Sequence, residues 1–367
     1  AMGAVTEHAP VSFWKESGRP VTSKFTHQVL DKHRVRVRFA LNTSDAPANS
    51  TLVIDPVMTW GTFTRTDNWD GVMTIKTKSN GDVVVAGYGG GGTGLFPVPF
   101  DTLNFSGAYT AGAADWAWQG FLQAFSNAGV LLWSTVYAQI DQPLQLSIDQ
   151  NDRIILAGVG LTDMPTMEGS GSFTGAFYSD TSVDGLDGMI IGFTPNGVRE
   201  WATFLGGGPI TSMSTSPTGR IVMIGDGDAG GNIDMPGTGS FAGAFHLAAS
   251  DTMAMLYGLE PNGAMSWASG WNMPGWFNKL IAFRNNEEFL LTGYSKPQLP
   301  TLATGAFSGA TVIPSDGTTD GYIAGFSPNG QQQWGSFFGL DEAVELHGLA
   351  IGPDNRAVIM AVNVGTS

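Results

Sequence analysis

Pro195-Asn196-Gly197-Val198-Arg199-Glu200-Trp201-Ala202-Thr203-Phe204 is the stretch that decides the fold, because close variants of it recur along the chain. Trp60, Trp133, Trp201, Trp267 and Trp334 return every 66 to 73 residues. Each opens a similar phrase: Trp-Gly-Thr-Phe, Trp-Ser-Thr-Val, Trp-Ala-Thr-Phe, Trp-Ala-Ser-Gly and Trp-Gly-Ser-Phe. Just upstream lies a turn: Ser126-Asn127-Ala128-Gly129, then Pro-Asn-Gly at 195–197, 261–263 and 328–330. Proline sets φ at the first corner and Asn-Gly accepts positive φ at the next, so each is a hairpin turn between two apolar runs. A fixed period of this length marks a repeat architecture.

Working outward from Trp201, the unit reads as four strands. Leu144–Ile148 alternates, Asn151-Asp152 turns, and Arg153–Val159 returns. A long Gly/Ser-rich loop follows, then Asp187–Phe193, the Pro-Asn-Gly turn and Val198–Leu205. The pattern recurs at 72–137, 211–270 and 279–338. Four-stranded units without helices predict an all-β chain of propeller blades. A fifth unit has two strands, near Leu346–Ile351 and Arg356–Val362. The N-terminal region offers two more, Arg34–Leu41 and Leu52–Phe63, the second with Trp60. The expectation is a five-bladed ring over residues 34–367, with N- and C-terminal strands sharing the closing blade. The alternative is a longer ring cut at Ser367. Residues 1–33 are expected to form an extension or flanking hairpin, with Ala1-Met2-Gly3 reading as a cloning scar.

Composition narrows the function classes. The chain has 367 residues, 17 Lys+Arg, 32 Asp+Glu and a net charge of −15. That balance disfavours nucleic acid as a partner, since phosphate neutralisation needs clustered cations. Residues 1–38 run the other way, with seven basic and three acidic side chains. With 51 Gly and 13% charged residues, the surface is built from turns rather than from charged helices. No run approaches 18 apolar residues, so no spanning helix and no membrane insertion are expected. Zero Cys excludes disulfides, thiolate catalysis and Cys zinc sites.

Leu52-Val-Ile-Asp-Pro56 with Trp60-Gly-Thr-Phe63 resembles the start of the bacterial SBBP-type β-propeller repeat. So do Pro195-Asn-Gly…Trp201-Ala-Thr-Phe-Leu-Gly-Gly207, Asp163-Met-Pro-Thr166, and Gly305-Ala-Phe307 ahead of Asp320-Gly-Tyr-Ile-Ala324. The likeness spans about residues 50–367 and departs at Trp271-Asn-Met273 and Leu340-Asp-Glu342. It implies a propeller that is secreted or displayed on the surface of a Gram-negative bacterium. It implies no particular activity.

Short turns are expected on one face. The long second-to-third-strand loops, 88–114, 160–186, 226–250 and 295–319, are expected on the other, where partners would meet a rigid scaffold. Trp69, Trp271, Trp276 and Phe277 fall outside the repeat and are expected in strand connections on that face. Trp69, Asp70, Trp276 and Asn278, with Asp141 and Glu342, are the candidate ligand-binding residues: indoles to stack, and carboxylates and an amide to hydrogen-bond. The favoured reading of the unmatched aromatics is packing between blades at the channel rim. Asp67 also lies at this rim, where a carboxylate pair would suit a polysaccharide-cleaving enzyme. No spacing demonstrates such a pair, so no catalytic residue is assigned. Asp115, Asp187, Asp251 and Asp320 open the third strands, a position that suits a turn cap.

No cofactor is expected. Asp226, Asp228 and Asp234 match the first, third and ninth positions of a calcium loop, with Gly231 at the sixth. Gly237 stands where the twelfth-position acid belongs, so loop structure is the favoured reading. His347, alone in an inner strand, is read as structural. Glycine-serine nucleophile elbows and Walker loops are absent. The function expected is a binding or scaffold module for an extracellular protein or glycan, as a monomer or within a larger surface assembly. The alternative is a propeller enzyme acting on extracellular polysaccharide.

Overall fold

The computed structural model describes residues 11–31, 34–42, 51–55, 70–90, 100–101, 108–109, 118–137, 140–183, 185–227, 231–249, 253–272, 280–295, 299–315, 320–338 and 344–363. The chain forms two compact units, Ala4–Thr62 and Phe63–Ser367 with Ala1–Gly3. The smaller holds β1 (Val11–Trp14), β2 (Pro20–Val21), β3 (Ser23–Asp31), β4 (Arg34–Leu41) and β5 (Leu52–Asp55). β1 pairs with β2 and β5, and β3 pairs with β4, all antiparallel. β1 and β2 form a hairpin within residues 1–33, β3 pairs with β4, and β4 and β5 lie in this smaller unit. Trp60 and the rest of the expected strand 52–63 lie outside the described residues.

The larger unit repeats one antiparallel sheet. Sheet I is β6 (Asp70–Thr77), β7 (Val83–Gly90), β9 (Trp118–Phe125) and β10 (Leu131–Tyr137), with β8 (Phe100–Asp101) on the outer edge of β10. Sheet II is β11 (Ile140–Ile148), β12 (Ile154–Gly160), β13 (Asp187–Phe193) and β14 (Arg199–Phe204). Sheet III is β15 (Ile210–Thr215), β16 (Ile221–Asp226), β17 (Ala254–Leu259) and β18 (Met265–Trp271). Sheet IV is β19 (Leu280–Phe283), β20 (Phe289–Ser295), β22 (Asp320–Phe326) and β23 (Gln332–Phe338), with β21 (Leu302–Ala303) on the edge of β23. β24 (Val344–Ile351) and β25 (Ala357–Asn363) form a separate two-stranded sheet. The four repeat units and the two C-terminal strands therefore stand where the periodicity places them.

First strands adjoin in succession: β6 beside β11, β11 beside β15, β15 beside β19, and β19 beside β24. Sheets II, III and IV consequently pack on neighbours with both faces. β12, β13, β16 and β17 are buried at every residue. That explains why Ile154-Ile-Leu-Ala and Ile221-Val-Met-Ile read as continuous apolar runs rather than as alternating strands. Separate cores fill the gaps. Trp133, Leu156, Ile191 and Phe193 sit between sheets I and II. Trp201, Ile155, Met223 and Tyr257 sit between II and III. Trp267, Trp271, Phe289 and Tyr322 sit between III and IV.

Candidate functional site

The long loops of sheets II, III and IV do not gather on one face. Each runs down the outer strand of its own sheet and back, as a strap. In sheet II, Met167 bridges Ala202 and the Ser170 N–H donates to Glu200 O at 2.9 Å on the way down. On the return, Ser179 O accepts the Phe204 N–H at 3.1 Å. Met235 bridges Ala268 in sheet III, and Leu302 faces Gly335 in sheet IV. Loops of more than 20 residues can run the length of a six- or seven-residue strand twice, at about 3.3 Å per residue. Doing so covers the unpaired edge of the outer strand. This corrects the expectation of a long-loop face opposite the Pro-Asn-Gly turns.

The straps of sheets II, III and IV turn at Gly-x-Phe tips, Gly171–Phe173, Gly239–Phe241 and Gly305–Phe307. The phenylalanine stacks on the outer-strand Trp of its own sheet: Phe173 on Trp201 at 5.4 Å, Phe241 on Trp267 at 5.6 Å, and Phe307 on Trp334 at 5.8 Å. Four residues further on, the strap carbonyl accepts the indole N–H. Trp133, Trp201, Trp267 and Trp334 donate to Tyr109, Phe177, Phe245 and Thr311 O at 2.9, 2.7, 2.7 and 2.9 Å. The recurring Trp is thus a strap anchor as well as core.

The tip then holds the Pro-Asn-Gly turn of the next sheet. Tyr109, Phe177 and Phe245 N–H donate to Gly197, Gly263 and Gly330 O at 2.8, 2.9 and 2.9 Å. Asn262 and Asn329 Nδ2 donate back to Thr174 and Ala242 O at 2.9 and 2.8 Å. Gly263, at φ +82°, lies flat on Trp201, and a Cβ there would stand 3.0 Å from the ring. A cation completes each contact. Lys78 Nζ, Arg153 Nη2 and Arg220 Nη1 donate to the Pro195, Pro261 and Pro328 carbonyls. Arg153 and Arg220 also lie over the Phe173 and Phe241 rings. Burial lowers the pKa of Lys78, and the charges of Asp82 and Asp152 oppose that shift.

A second latch joins the first hairpin turns. Asp152, Glu287 and Asn355 hold φ of 58°, 67° and 63° without being glycine. Their side chains reach the preceding turn. Asp152 accepts from Ser79 N at 2.7 Å, Glu287 from Thr218 N at 2.8 Å and Arg220 Nη2 at 2.6 Å, and Asn355 from Asn285 N at 2.8 Å. Burial raises the Glu287 pKa, but the bonds from Arg220, Ser216 and Thr218 outweigh it and hold the carboxyl below its ordinary value. Glu260 behaves alike in strap III: burial opposes, and Ser240 and Ser266 donors win. Sequence reading missed these latches, because no single residue type repeats at the latch position.

Of the expected ligand-binding residues, Trp69, Trp276, Asn278 and Glu342 lie outside the described residues, as do Asp67, Phe277 and Asp228. Asp70 opens β6 and Asp141 is the second residue of β11, so both stand at the same end of two adjoining first strands. Trp271 is not a rim residue. It is fully buried at the end of β18, 5.1 Å from Phe245 and 5.5 Å from Phe326. Four residues after each outer Trp stands a strand-end core residue, Tyr137, Leu205, Trp271 or Phe338, and that register gave the signal.

Asp187 is buried and its Oδ2 accepts the Val183 N–H at 2.7 Å, the cap expected of it. Asp320 is buried at the equivalent strand start, and Asp115 and Asp251 lie outside the described residues. Asp226 ends β16 and is buried. Asp234 is engaged by His246 Nε2 at 2.6 Å, across the strap of sheet III. Among the described residues no group of three His, Cys, Asp or Glu side chains is arranged to hold a metal. His347 lies in β24 with its side chain exposed. No described helix is long and apolar enough to cross a membrane, which says nothing of a β-barrel. Comparison with protein-family models finds no match, and no curated protein matches the chain.

Proposed function

We propose that this chain is a five-bladed β-propeller of the SBBP-like kind, secreted or displayed on a Gram-negative cell surface, that binds an extracellular protein or glycan. The observation that carries the fold is the succession of adjoining first strands, β6, β11, β15, β19 and β24. Blades set round an axis place their first strands in this way. β24 and β25 then supply half of the closing blade, and strands from residues 34–63 supply the rest.

The binding face is the end of the first strands at which Asp70 and Asp141 stand. Trp69, Trp276, Asn278 and Glu342 are the stacking and hydrogen-bonding groups that the proposal assigns to this face. The straps support this choice by removing the outer edges from contention, because their loops are committed to holding neighbouring sheets. Screening the intact chain against glycans and extracellular proteins, then repeating any hit with Trp69→Ala/Trp276→Ala, tests the face. Loss of binding with an unchanged melting temperature is expected; a ligand that maps to the Pro-Asn-Gly end overturns it. Deleting residues 1–59 tests closure. The expected result is aggregation through an exposed β25 edge, and a soluble monomer of unchanged stability would sink the five-bladed reading.

A further inference from the structure

We propose that Asn80-Gly81, in the first hairpin turn of sheet I, is a self-modification site where the asparagine deamidates through a cyclic imide, with Asp82 assisting the step. This goes beyond the binding face proposed above and uses none of its residues. Asn-Gly pairs occur at 80–81, 196–197, 262–263 and 329–330. Glycine sets no side chain against its own amide, so its nitrogen can attack the preceding asparagine Cγ within the chain. The Gly81 N–Cγ bond forms and the Cγ–Nδ2 bond breaks. The proton given up by Gly81 leaves on the ammonia. Water then opens the ring to aspartate or isoaspartate, and no other reactant is consumed.

The pairs differ in what holds the leaving nitrogen. Their backbones are alike: Gly81, Gly263 and Gly330 N–H donate to Lys78, Glu260 and Ser327 O at 3.0, 2.8 and 2.9 Å. Asn262 and Asn329 Nδ2 donate to strap carbonyls of the preceding sheet, which have no proton to return. Their glycine peptides are also pinned. The Gly263 and Gly330 carbonyls accept the Phe177 and Phe245 N–H, and a Cβ on either glycine would stand 2.9 Å from Ala176 or Ala244.

Asn80 is exposed and is held inside its own turn. Its Oδ1 accepts the Asp82 N–H at 2.9 Å, and its Nδ2 donates to Asp82 Oδ2 at 2.8 Å. The N–H faces the oxygen on which negative charge gathers as Gly81 attacks. The carboxylate beside Nδ2 is placed to return to the departing nitrogen the proton that Gly81 gives up. The neighbour of a Cβ on Gly81 is the exposed Asn127 side chain, at 3.3 Å. The product matters to the junction of sheets I and II. Isoaspartate adds a carbon to the main chain of the turn whose Ser79 N–H donates to Asp152 and whose Lys78 Nζ donates to Pro195 O.

The test incubates the intact chain at neutral pH in heavy-oxygen water and follows its peptides by mass spectrometry. Label should enter residue 80 about tenfold or more faster than residues 262 and 329, and the three rates should converge in concentrated urea. Asp82→Asn keeps the N–H on Oδ1 and removes the carboxylate. It should slow residue 80 about fivefold or more without altering residues 262 and 329. The proposal is overturned if residue 80 is no faster than the other two in the folded chain. It is equally overturned if Asp82→Asn leaves the rate at residue 80 unchanged, which would make exposure alone the cause.

Discussion

The junction between sheets II and III and the rim of sheet IV are built from the same parts with different outcomes. At the first, Trp201 has Phe173 on one face and Gly263 on the other, and Arg153 ties the Phe173 ring to the Pro261 carbonyl. At the second, Trp334 has Phe307 on one face, and Arg284 turns to Asn355 O at 3.2 Å and to Glu288. The difference teaches that a strap has two jobs. It closes the edge of its own sheet whether or not a neighbour follows, and it becomes a junction only when a tight turn is delivered to it.

The largest expected effect separates the two tryptophans. Trp201→Ala should cost about 3–5 kcal/mol, the usual range for a fully buried aromatic. Trp334→Ala should cost less, about 1–2 kcal/mol, since this ring is only partly buried. Urea denaturation midpoints at constant m-value measure both. Equal costs would mean that the outer face of Trp334 is covered after all.

Next come the arginines. Arg220→Ala removes the partner of the Glu287 carboxylate and the donor to the Pro328 carbonyl, and should cost about 2–4 kcal/mol. Arg356 holds the corresponding turn position in the β24–β25 hairpin but is 86% exposed, paired with Asp354 at 3.2 Å. Arg356→Ala should stay within about 0.5 kcal/mol. A large loss there would show that Arg356 already serves a junction.

Acid should distinguish strap III from strap IV. Glu260 clamps Ser240 in strap III, and Gln333 Oε1 accepts the Ala306 N–H in strap IV. The folded pKa of Glu260 is below its ordinary 4.5. Its contribution is therefore present above that value and is lost as pH falls through the lowered one. Glu287 follows the same sign. The Ser240 amide signal should shift with acidification below pH 4.5 while Ala306 stays constant. Glu260→Gln should abolish the difference.

The smallest effect concerns the left-handed turn residues. Asp152→Gly relieves backbone strain of about 1 kcal/mol but gives up the bonds to Ser79. Net stability should change by less than about 1 kcal/mol, with the Ser79 amide losing its protection. A clear gain in stability would show that the latch contributes nothing.

Legibility followed chemistry that repeats. Trp133, Trp201, Trp267 and Trp334, with their turns, marked the third-to-fourth-strand hairpins, and the apolar runs at 154–160 and 221–226 marked the second strands. Trp271 was misread because its flanking Asn-Met breaks the Gly-Gly phrase, although its spacing from Trp267 matches that of Leu205 from Trp201. The strap tips Gly171–Phe173, Gly239–Phe241 and Gly305–Phe307 were visible as words, but no local rule says that a phenylalanine in a polar loop folds back onto an indole in its own sheet.

By itself the sequence determined the strands of the four repeat units and of the C-terminal hairpin, and the positions of their tight turns, because these depend on period, on β-propensity and on the φ that glycine and proline allow. Only the tertiary structure decided where the long loops go and which residues join sheet to sheet. A cation at residue 153 or 220 and a carbonyl at 261 or 328 are a hundred residues apart in the chain. They meet because packing brings one sheet's turn under the previous sheet's strap. That contact is set by shape and hydrogen-bond geometry between elements, which no local pattern encodes.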